Sequence, residues 1–165
     1  MTRGRLLFVA MLTVAATCMP AVANAQQLIF VVRHAERADA GMQAQTDPPL
    51  SAAGEARAAK LATMLADAGV KDIFVTEFKR TQDTAKPLAS KLGVMAEQMP
   101  STDTGALIAK IKSHPADVVL VVGHQNTVPA ILKAFGGPDV TIADAEYDNL
   151  FVIVPATGVV TRIRF

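Results

Sequence analysis

The stretch Leu28-Ile-Phe-Val-Val-Arg-His34 decides the fold. Its first five residues are apolar and include three β-branched side chains, which is typical of a strand buried on both faces of a parallel sheet. Such a strand brings Arg33 and His34 to its carboxyl end, and in parallel α/β sheets that end is where ligands bind. The stretch therefore predicts an α/β fold and also the location of a functional site.

Two further apolar runs end in a similar way. Val118–Val122 is followed after one glycine by His124, and the shorter run Ile73–Val75 precedes Arg80. Because the carboxyl ends of parallel strands share one edge of a sheet, we expect these side chains to meet the arginine and histidine of the first run. Two arginines and two histidines in one place predict a pocket for a phosphate dianion.

The rest of the chain alternates between strand and helix patterns. This alternation predicts a three-layer α/β/α sandwich with a mostly parallel central sheet. Four helices are expected, with starting or capping residues at Ser51, about Thr81, Thr102 or Asp103, and Asn126 or Thr127. The last two apolar runs, 150–154 and 159–165, flank the turn sequence Pro155-Ala-Thr-Gly158 and predict a terminal hairpin at an antiparallel edge.

Residues 1–25 have the pattern of a secretory signal peptide. Arg3 and Arg5 form a cationic start, Leu6–Met19 is an apolar run, and Ala23-Asn-Ala25 is a small-x-small cleavage site. A transmembrane anchor is the alternative, but the run is short for a span and a proline follows it. We therefore expect a periplasmic or secreted protein with no membrane span after cleavage.

Cleavage after Ala25 would leave residues 26–165, which is enough chain for one domain with its own core. The single cysteine, Cys18, lies in the signal, where lipidation is a second possible outcome. Loss of two arginines lowers the Lys+Arg count from 16 to 14 against 15 acidic residues, so the net charge changes from +1 to −1. This balance does not favour nucleic acid or an anionic membrane surface as a partner.

The chemistry of the four site residues favours phosphoryl transfer. A neutral imidazole is a nucleophile, so His34 could form a phosphohistidine that water then hydrolyses. A guanidinium matches two phosphate oxygens and stays charged at any working pH, which suits Arg33 and Arg80 to hold the phosphate. The second histidine, His124, would complete the pocket. No cofactor is expected.

Each of these residues alone has an ordinary structural interpretation, because arginines after strands are usually solvated and single histidines are mostly surface or core groups. The combination carries the prediction, since the chain has only three histidines and two follow strands; His114, in a polar stretch, is expected in a loop. A metal site using Glu36 and Asp39 is disfavoured, because Arg33 would repel the cation.

Four segments resemble the motifs of the histidine phosphatase (phosphoglycerate-mutase-like) superfamily in the same order. They are Val32–Glu36, Asp47–Gly54, Thr76–Ala85 and Val122–His124. The resemblance covers almost all of residues 26–165 and is closest to small members similar to phosphohistidine phosphatases. It implies that His34 accepts the phosphoryl group.

By the same resemblance, Arg33, Arg80 and His124 form the rest of the phosphate pocket, and no metal is needed. The sequence departs from the family in its proton donor. Gln125 follows the second histidine where phytase-like members have aspartate, and the insertion that carries a glutamate in mutase-like members is missing. Asp103 is the first candidate for the general acid and Glu97 the second, although Asp103 is equally suited to capping a helix.

The leading hypothesis is an exported, metal-independent phosphatase that acts on a small or surface-linked phosphorylated substrate. One alternative is a phosphohistidine or phosphoprotein phosphatase, and another is a non-catalytic anion-binding protein of the cell envelope. Specificity is expected to come from the loop 38–49 and from the segment Glu146-Tyr-Asp148. The sequence does not indicate an oligomeric state.

The signal-peptide pattern predicts a mature chain that begins at Gln26. Intact-mass measurement of the protein from its native host tests this directly. A chain that keeps Met1 would contradict the prediction, and a lipid mass on Cys18 would make the protein membrane-anchored.

Overall fold

A computed structural model describes residues 27–38, 47–115 and 117–165, so the expected signal peptide and its Cys18 lie outside the described residues, as does Asp39. Within this part the elements follow the order expected from the sequence. They are β1 (Leu28–Arg33), α1 (Ala52–Leu65), β2 (Val70–Val75), α2 (Lys79–Leu92), β3 (Ala96–Gln98), α3 (Thr104–Lys112), β4 (Val118–Gly123), α4 (Thr127–Ala134), β5 (Asn149–Val154) and β6 (Val159–Arg164).

The strands form one six-stranded sheet in the order β3-β2-β4-β1-β5-β6. The first four are parallel to one another, and β5 and β6 are antiparallel, so the predicted hairpin at an antiparallel edge is confirmed. The edge strand β3 is not predicted by the sequence. Its three residues, Ala-Glu-Gln, are polar or small and mostly exposed, and only parallel pairing with β2 holds them in a strand.

Two hydrophobic cores lie on opposite faces of the sheet, which confirms the three-layer sandwich. Alternate residues of β1 contribute to each core, since side chains along a strand point to opposite faces. Ile29 and Val31 belong to the core that contains residues of α3 and α4. Phe30 and Val32 belong to the core that contains residues of α1 and α2.

The helix ends follow local rules. Ser51 caps α1 by accepting a hydrogen bond from the backbone N–H of Gly54, and Asp103 caps α3 by accepting one from Ala106. Gly93 ends α2 in the left-handed conformation. The prediction for the start of α2 is late by two residues, because the helix begins at Lys79 without a capping side chain that the sequence could show.

None of the helices in the described ranges is both long and apolar enough to cross a membrane.

The segment that follows β1 is held against the start of α1. The carbonyl oxygen of Glu36 accepts hydrogen bonds from the backbone N–H and the hydroxyl of Ser51. The carboxylate of Glu36 accepts three hydrogen bonds from the guanidinium of Arg57. Gly54 completes this close approach, because a Cβ atom at that position would overlap the carbonyl of Glu36. The contact fixes the backbone two residues beyond His34.

Replacement of Gly54 by alanine should therefore destabilise the protein by about 1–3 kcal/mol, as steric overpacking does elsewhere. The backbone of Glu36 cannot move without breaking its bonds to Ser51. Urea unfolding of Gly54→Ala measures the loss. Gly105→Ala is the matched control, because its added Cβ would meet only an Asp103 oxygen at 3.4 Å and α3 should gain from alanine's helix propensity. Equal stability of the two variants would contradict the prediction.

Candidate active site

The structure brings all four predicted phosphate-pocket residues together. Arg33, His34, Arg80 and His124 line one cavity of about 760 Å³ at the carboxyl ends of β1, β2 and β4. Arg33 lies opposite Gly123 in the register of β1 and β4, and the ring centroids of the two histidines are 5.4 Å apart. The roles of the four residues remain predictions, but they are close enough to surround one phosphate group.

His34 has one ring nitrogen held and the other available. Its Nδ1 lies 2.8 Å from the carbonyl oxygen of Ala35, which can only accept a hydrogen bond, so the proton of the neutral ring belongs on Nδ1. Nε2 then carries the free lone pair. Burial lowers the pKa of His34, and repulsion by His124, Arg80 and Arg33 adds to this shift; with the opposing bond to Ala35, the resulting pKa is about 4. The ring is therefore neutral at pH 7.

Arg33 is buried and strongly anchored. Its Nη1 lies within 3.3 Å of the carbonyl oxygens of Ala143, Asp144 and Glu146. Its guanidinium stacks 4.2 Å from the ring centre of Tyr147, and Nη2 donates to the Tyr147 hydroxyl. The buried Nε has no hydrogen-bond partner among the described residues. A buried donor without a partner is costly.

Arg80 lies in the first turn of α2, not ahead of a helix as the sequence suggested. Its guanidinium stacks 4.1 Å from the ring centre of Phe78, and Nη1 lies 3.6 Å from a carboxylate oxygen of Asp47. Burial lowers the pKa of Arg80 while Asp47 raises it, but an arginine remains charged throughout the working range. Both arginines that face the histidines are thus fixed by an aromatic ring.

His124 is oriented by two threonine hydroxyls. Its Nε2 lies 3.0 Å from the hydroxyl of Thr76, which lies 3.0 Å from the hydroxyl of Thr81. The ring also packs edge-on against Phe78, with centroids 5.5 Å apart. Burial lowers the pKa of His124 to about 4, with Arg80 and Arg33 adding to the shift and Glu77 opposing it. Nδ1 of His124 is left for a ligand.

Several residues of this site were not predicted from the sequence. Phe78 supports Arg80, Thr76 orients the second histidine, and Arg37 adds a third guanidinium to the cavity lining. Tyr147, which supports Arg33, belongs to the predicted specificity segment 146–148 and lines the cavity. Thr84 accepts a hydrogen bond from the backbone N–H of Ala35. Arg37, only three residues after His34, could have been suspected, whereas the others act through contacts that depend on the folded chain.

The two candidate acids lie outside the residues that line the cavity. Asp103 Oδ1 accepts from the backbone N–H of Ala106 at 2.8 Å, so its carboxylate caps α3. Glu97 lies on β3, and its carboxylate pairs with Lys110 at 3.0 Å. The neighbouring polar residues Ser101, Thr102 and Thr104 do line the cavity. The segment that connects β3 to α3 is therefore at the site, although its carboxylates make other contacts.

Within residues 27–38, 47–115 and 117–165, no three His, Cys, Asp or Glu side chains are grouped as a metal ion would require. The chemistry that these residues can perform is anion binding beside a neutral imidazole. The arginines supply fixed positive charge, and His34 supplies a lone pair.

Comparison of the sequence with known families agrees with the resemblance noted above. Residues 29–102, which contain Arg33, His34 and Arg80, match the model of the "Histidine phosphatase superfamily (branch 1)". This segment is therefore similar to members of that superfamily.

The sequence is also similar to two proteins named "Probable phosphoglycerate mutase GpmB". The one from Yersinia enterocolitica is 38% identical over 69 residues, which are 40% of this chain and 32% of the relative. One from Escherichia coli is 35% identical over 68 residues, 39% of this chain and 32% of the relative. The aligned part of the chain thus spans about a third of the length of these curated relatives.

Solved structures share the fold over a larger part of the chain. The protein histidine phosphatase SixA complexed with tungstate superposes with a TM-score of 0.64 and 20% identity, covering 82% of this chain and 94% of that one. The alpha-ribazole phosphatase of Shigella flexneri gives a TM-score of 0.66 and 16% identity, covering 84% and 95%. At these identities the likeness establishes the fold.

The two buried histidines should make stability depend on pH. Their pKa values are lowered in the folded state, to about 4, so between about pH 6.5 and pH 4 the unfolded chain binds protons that the folded chain does not. Stability is therefore fully present above about pH 6.5 and is lost as the pH falls, with a slope of up to about 1.4 kcal/mol per pH unit for each histidine.

Urea unfolding at several pH values tests this dependence. Between pH 7 and pH 5 the double variant His34→Gln/His124→Gln should lose less stability than the parent protein. His114→Gln is the control, because His114 contacts Lys110 and Ser113 at the end of α3 and does not line the cavity. Parallel pH profiles for the parent and the double variant would contradict the assigned shifts.

Proposed function

We propose that this protein is a metal-independent phosphatase that hydrolyses a phosphomonoester through a phosphohistidine on His34. One observation carries the proposal: a neutral imidazole with a free Nε2 shares a cavity with Arg33, Arg80 and His124. The superfamily match over residues 29–102 supports it, as does the likeness to a phosphatase structure complexed with tungstate, which is a tetrahedral oxyanion like phosphate.

In the first step, the Nε2 lone pair of His34 attacks phosphorus in line with the ester oxygen, and the P–O bond to the leaving group breaks. The imidazole gains positive charge as the P–N bond forms. The carbonyl of Ala35 accepts from Nδ1–H and stabilises that charge, while the arginines stabilise the transferring oxygens. Because the guanidinium groups are already stacked and bonded, little reorganisation is needed at the transition state.

In the second step, water attacks phosphorus and the P–N bond breaks. The electron pair returns to Nε2, and hydrogen phosphate leaves. The products are the free alcohol and inorganic phosphate, so the histidine is regenerated without any further reactant. In both steps the guanidinium groups neutralise the phosphate oxygens, and no metal ion takes part. A chelator should therefore not change the rate.

Asp103 remains our candidate for the proton donor to the leaving oxygen, with Glu97 second, although both carboxylates make other contacts. A donor matters most for poor leaving groups, since an aryl oxide scarcely needs protonation. The proposed reaction with a good leaving group requires no dedicated acid, and the polar segment 101–104 can hold the water needed for a poor one.

A phosphohistidine or phosphoprotein phosphatase is the second candidate. The specific observation in its favour is that neither Asp103 nor Glu97 is among the residues that line the cavity. A phosphorylated imidazole is a good leaving group and would tolerate the absence of Asp103 and Glu97 from the cavity lining. We also propose that the protein is exported by its signal peptide, which favours small or surface-linked substrates over cytoplasmic phosphoproteins.

The test of the mechanism is rapid quench with a ³²P-labelled aryl phosphate in the presence of a chelator. Acid-labile, base-stable label should appear on His34, and His34→Ala should abolish turnover. Arg33→Ala, Arg80→Ala and His124→Ala should each lower kcat by about 10²–10³, as loss of one preorganised donor does elsewhere. Asp103→Asn should slow alkyl esters more than aryl esters if Asp103 is the acid.

His114→Ala is the matched control for removal of a histidine away from the cavity, and it should retain full activity. Turnover without label on His34 would exclude the covalent mechanism. Binding of inorganic phosphate without turnover of any phosphate ester or phosphohistidine would favour the non-catalytic anion-binding alternative.

A further inference from the structure

A third arginine, Arg37, lines the same cavity as the phosphate-pocket residues. Its backbone is fixed, because Arg37 forms an antiparallel bridge with Leu50 and the N–H of Ala38 donates to the carbonyl of Pro49. Its side chain is exposed at the cavity wall, unlike the buried Arg33. The guanidinium is near enough to Arg80 to lower the pKa of Arg80 by repulsion. Three guanidinium groups, those of Arg33, Arg37 and Arg80, therefore line the same cavity.

Two carboxylates on the same part of the chain, Glu36 and Asp47, make contacts with other residues. Both carboxylate oxygens of Glu36 accept hydrogen bonds from Arg57. The carboxylate of Asp47 accepts a hydrogen bond from the backbone N–H of Lys79 and lies 3.6 Å from Arg80. No ion pair of Arg37 occurs among the described residues. Arginines outnumber carboxylates three to one in the lining, where Asp144 is the acidic residue. An excess of like charge in one cavity is unfavourable, so an anionic ligand would be stabilised there.

The cavity is also too large for one phosphate group. A volume of about 760 Å³ lies in the range of sites that hold whole organic molecules, about 300–1,000 Å³. In the proposed reaction, the transferred phosphoryl group is bound next to His34 by buried residues such as Arg33 and His124. Arg37, at the exposed wall, is left to contact a more distant part of the substrate.

We propose that the substrate is a phosphate ester with a second anionic group, a phosphate or a carboxylate, and that Arg37 binds this second group. This inference rests on the proposed phosphatase function and adds the chemical class of the substrate. Arg37 is then a specificity residue: it selects among phosphate esters without touching the atoms that react.

The test compares esters that differ only in the second charge. Alkanediol bisphosphates of two to six carbons and ω-carboxyalkyl phosphates of matching length are each compared with the simple alkyl phosphate. The parent protein should prefer one of the doubly anionic series by about five- to tenfold in kcat/KM, at the chain length that reaches Arg37. The preference should shrink with added salt, because an exposed charge is screened.

In Arg37→Gln the ratio between doubly anionic and simple esters should fall towards one, while Lys60→Gln, an equal charge change on the exposed side of α1, should leave the ratio unchanged. A parent protein without any preference overturns the proposal. An equal loss on all esters in Arg37→Gln also overturns it, because Arg37 would then bind the transferred phosphoryl group.

Equilibrium binding separates this proposal from the proposed function. Calorimetry with the same compounds, as non-reacting ligands of His34→Ala, should show tighter binding of the doubly anionic series, and Arg37→Gln in that background should remove the difference. If no ester is turned over by the parent protein but this difference is found, the phosphatase function fails and the second-anion site stands. If turnover occurs and the difference is absent, the second-anion site fails alone.

Discussion

The parallel pairing of β1 with β4 is the constraint on which the site depends. The ladder runs from Leu28 opposite Val118 to Arg33 opposite Gly123, and it continues one step further where the N–H of His34 donates to the carbonyl of Gly123. A shift of one residue would turn the alternating side chains to the opposite faces of the sheet. The two cores prevent this shift, because each accepts only its own half of the strand. Hydrophobic burial thus sets the separation of the two histidines that line the cavity.

Burial also determines the charge state of those histidines. Both rings are mostly withdrawn from water beside fixed arginines, so the neutral form is favoured, and a neutral ring is what nucleophilic attack requires. The arginines are not free to move away from this unfavourable neighbourhood. Arg33 is held by Tyr147 and backbone carbonyls, and Arg80 by Phe78. The folding free energy of the domain therefore keeps these positively charged side chains close together, although their mutual repulsion would separate them in water.

Much of this architecture is readable from the sequence, for identifiable reasons. Continuous apolar runs rich in β-branched residues predicted β1 and β4, and the arginine and histidines that follow such runs had to share one edge of the sheet. Strand β3 was missed because its residues carry no strand signal and depend on β2. Thr76 and Phe78 were missed because they act through contacts across the fold: a hydroxyl 3.0 Å from His124, and a ring beneath the guanidinium of Arg80.

The assignment of a proton donor shows a second limit of sequence reasoning. Asp103 satisfies the pattern of an acid near the site and equally that of a helix cap, and only the position of its Oδ1 beside the Ala106 N–H shows which contact it makes in the folded chain. Arg37 is the converse case. Its proximity to His34 is visible in the sequence. Only the structure shows that the carboxylates of Glu36 and Asp47 contact Arg57 and Arg80 instead of Arg37.

Arg33 has a consequence beyond electrostatics. Its guanidinium is shared between the cavity and the backbone carbonyls of Ala143, Asp144 and Glu146, so the loop before β5 is positioned by the same group that an anion would recruit. Thermodynamic linkage makes this relation reciprocal: an anion bound by Arg33 would stabilise the position of the loop, and a change in the loop would alter the affinity for the anion. The loop before β5 and the anion-binding cavity are therefore coupled through one side chain, that of Arg33.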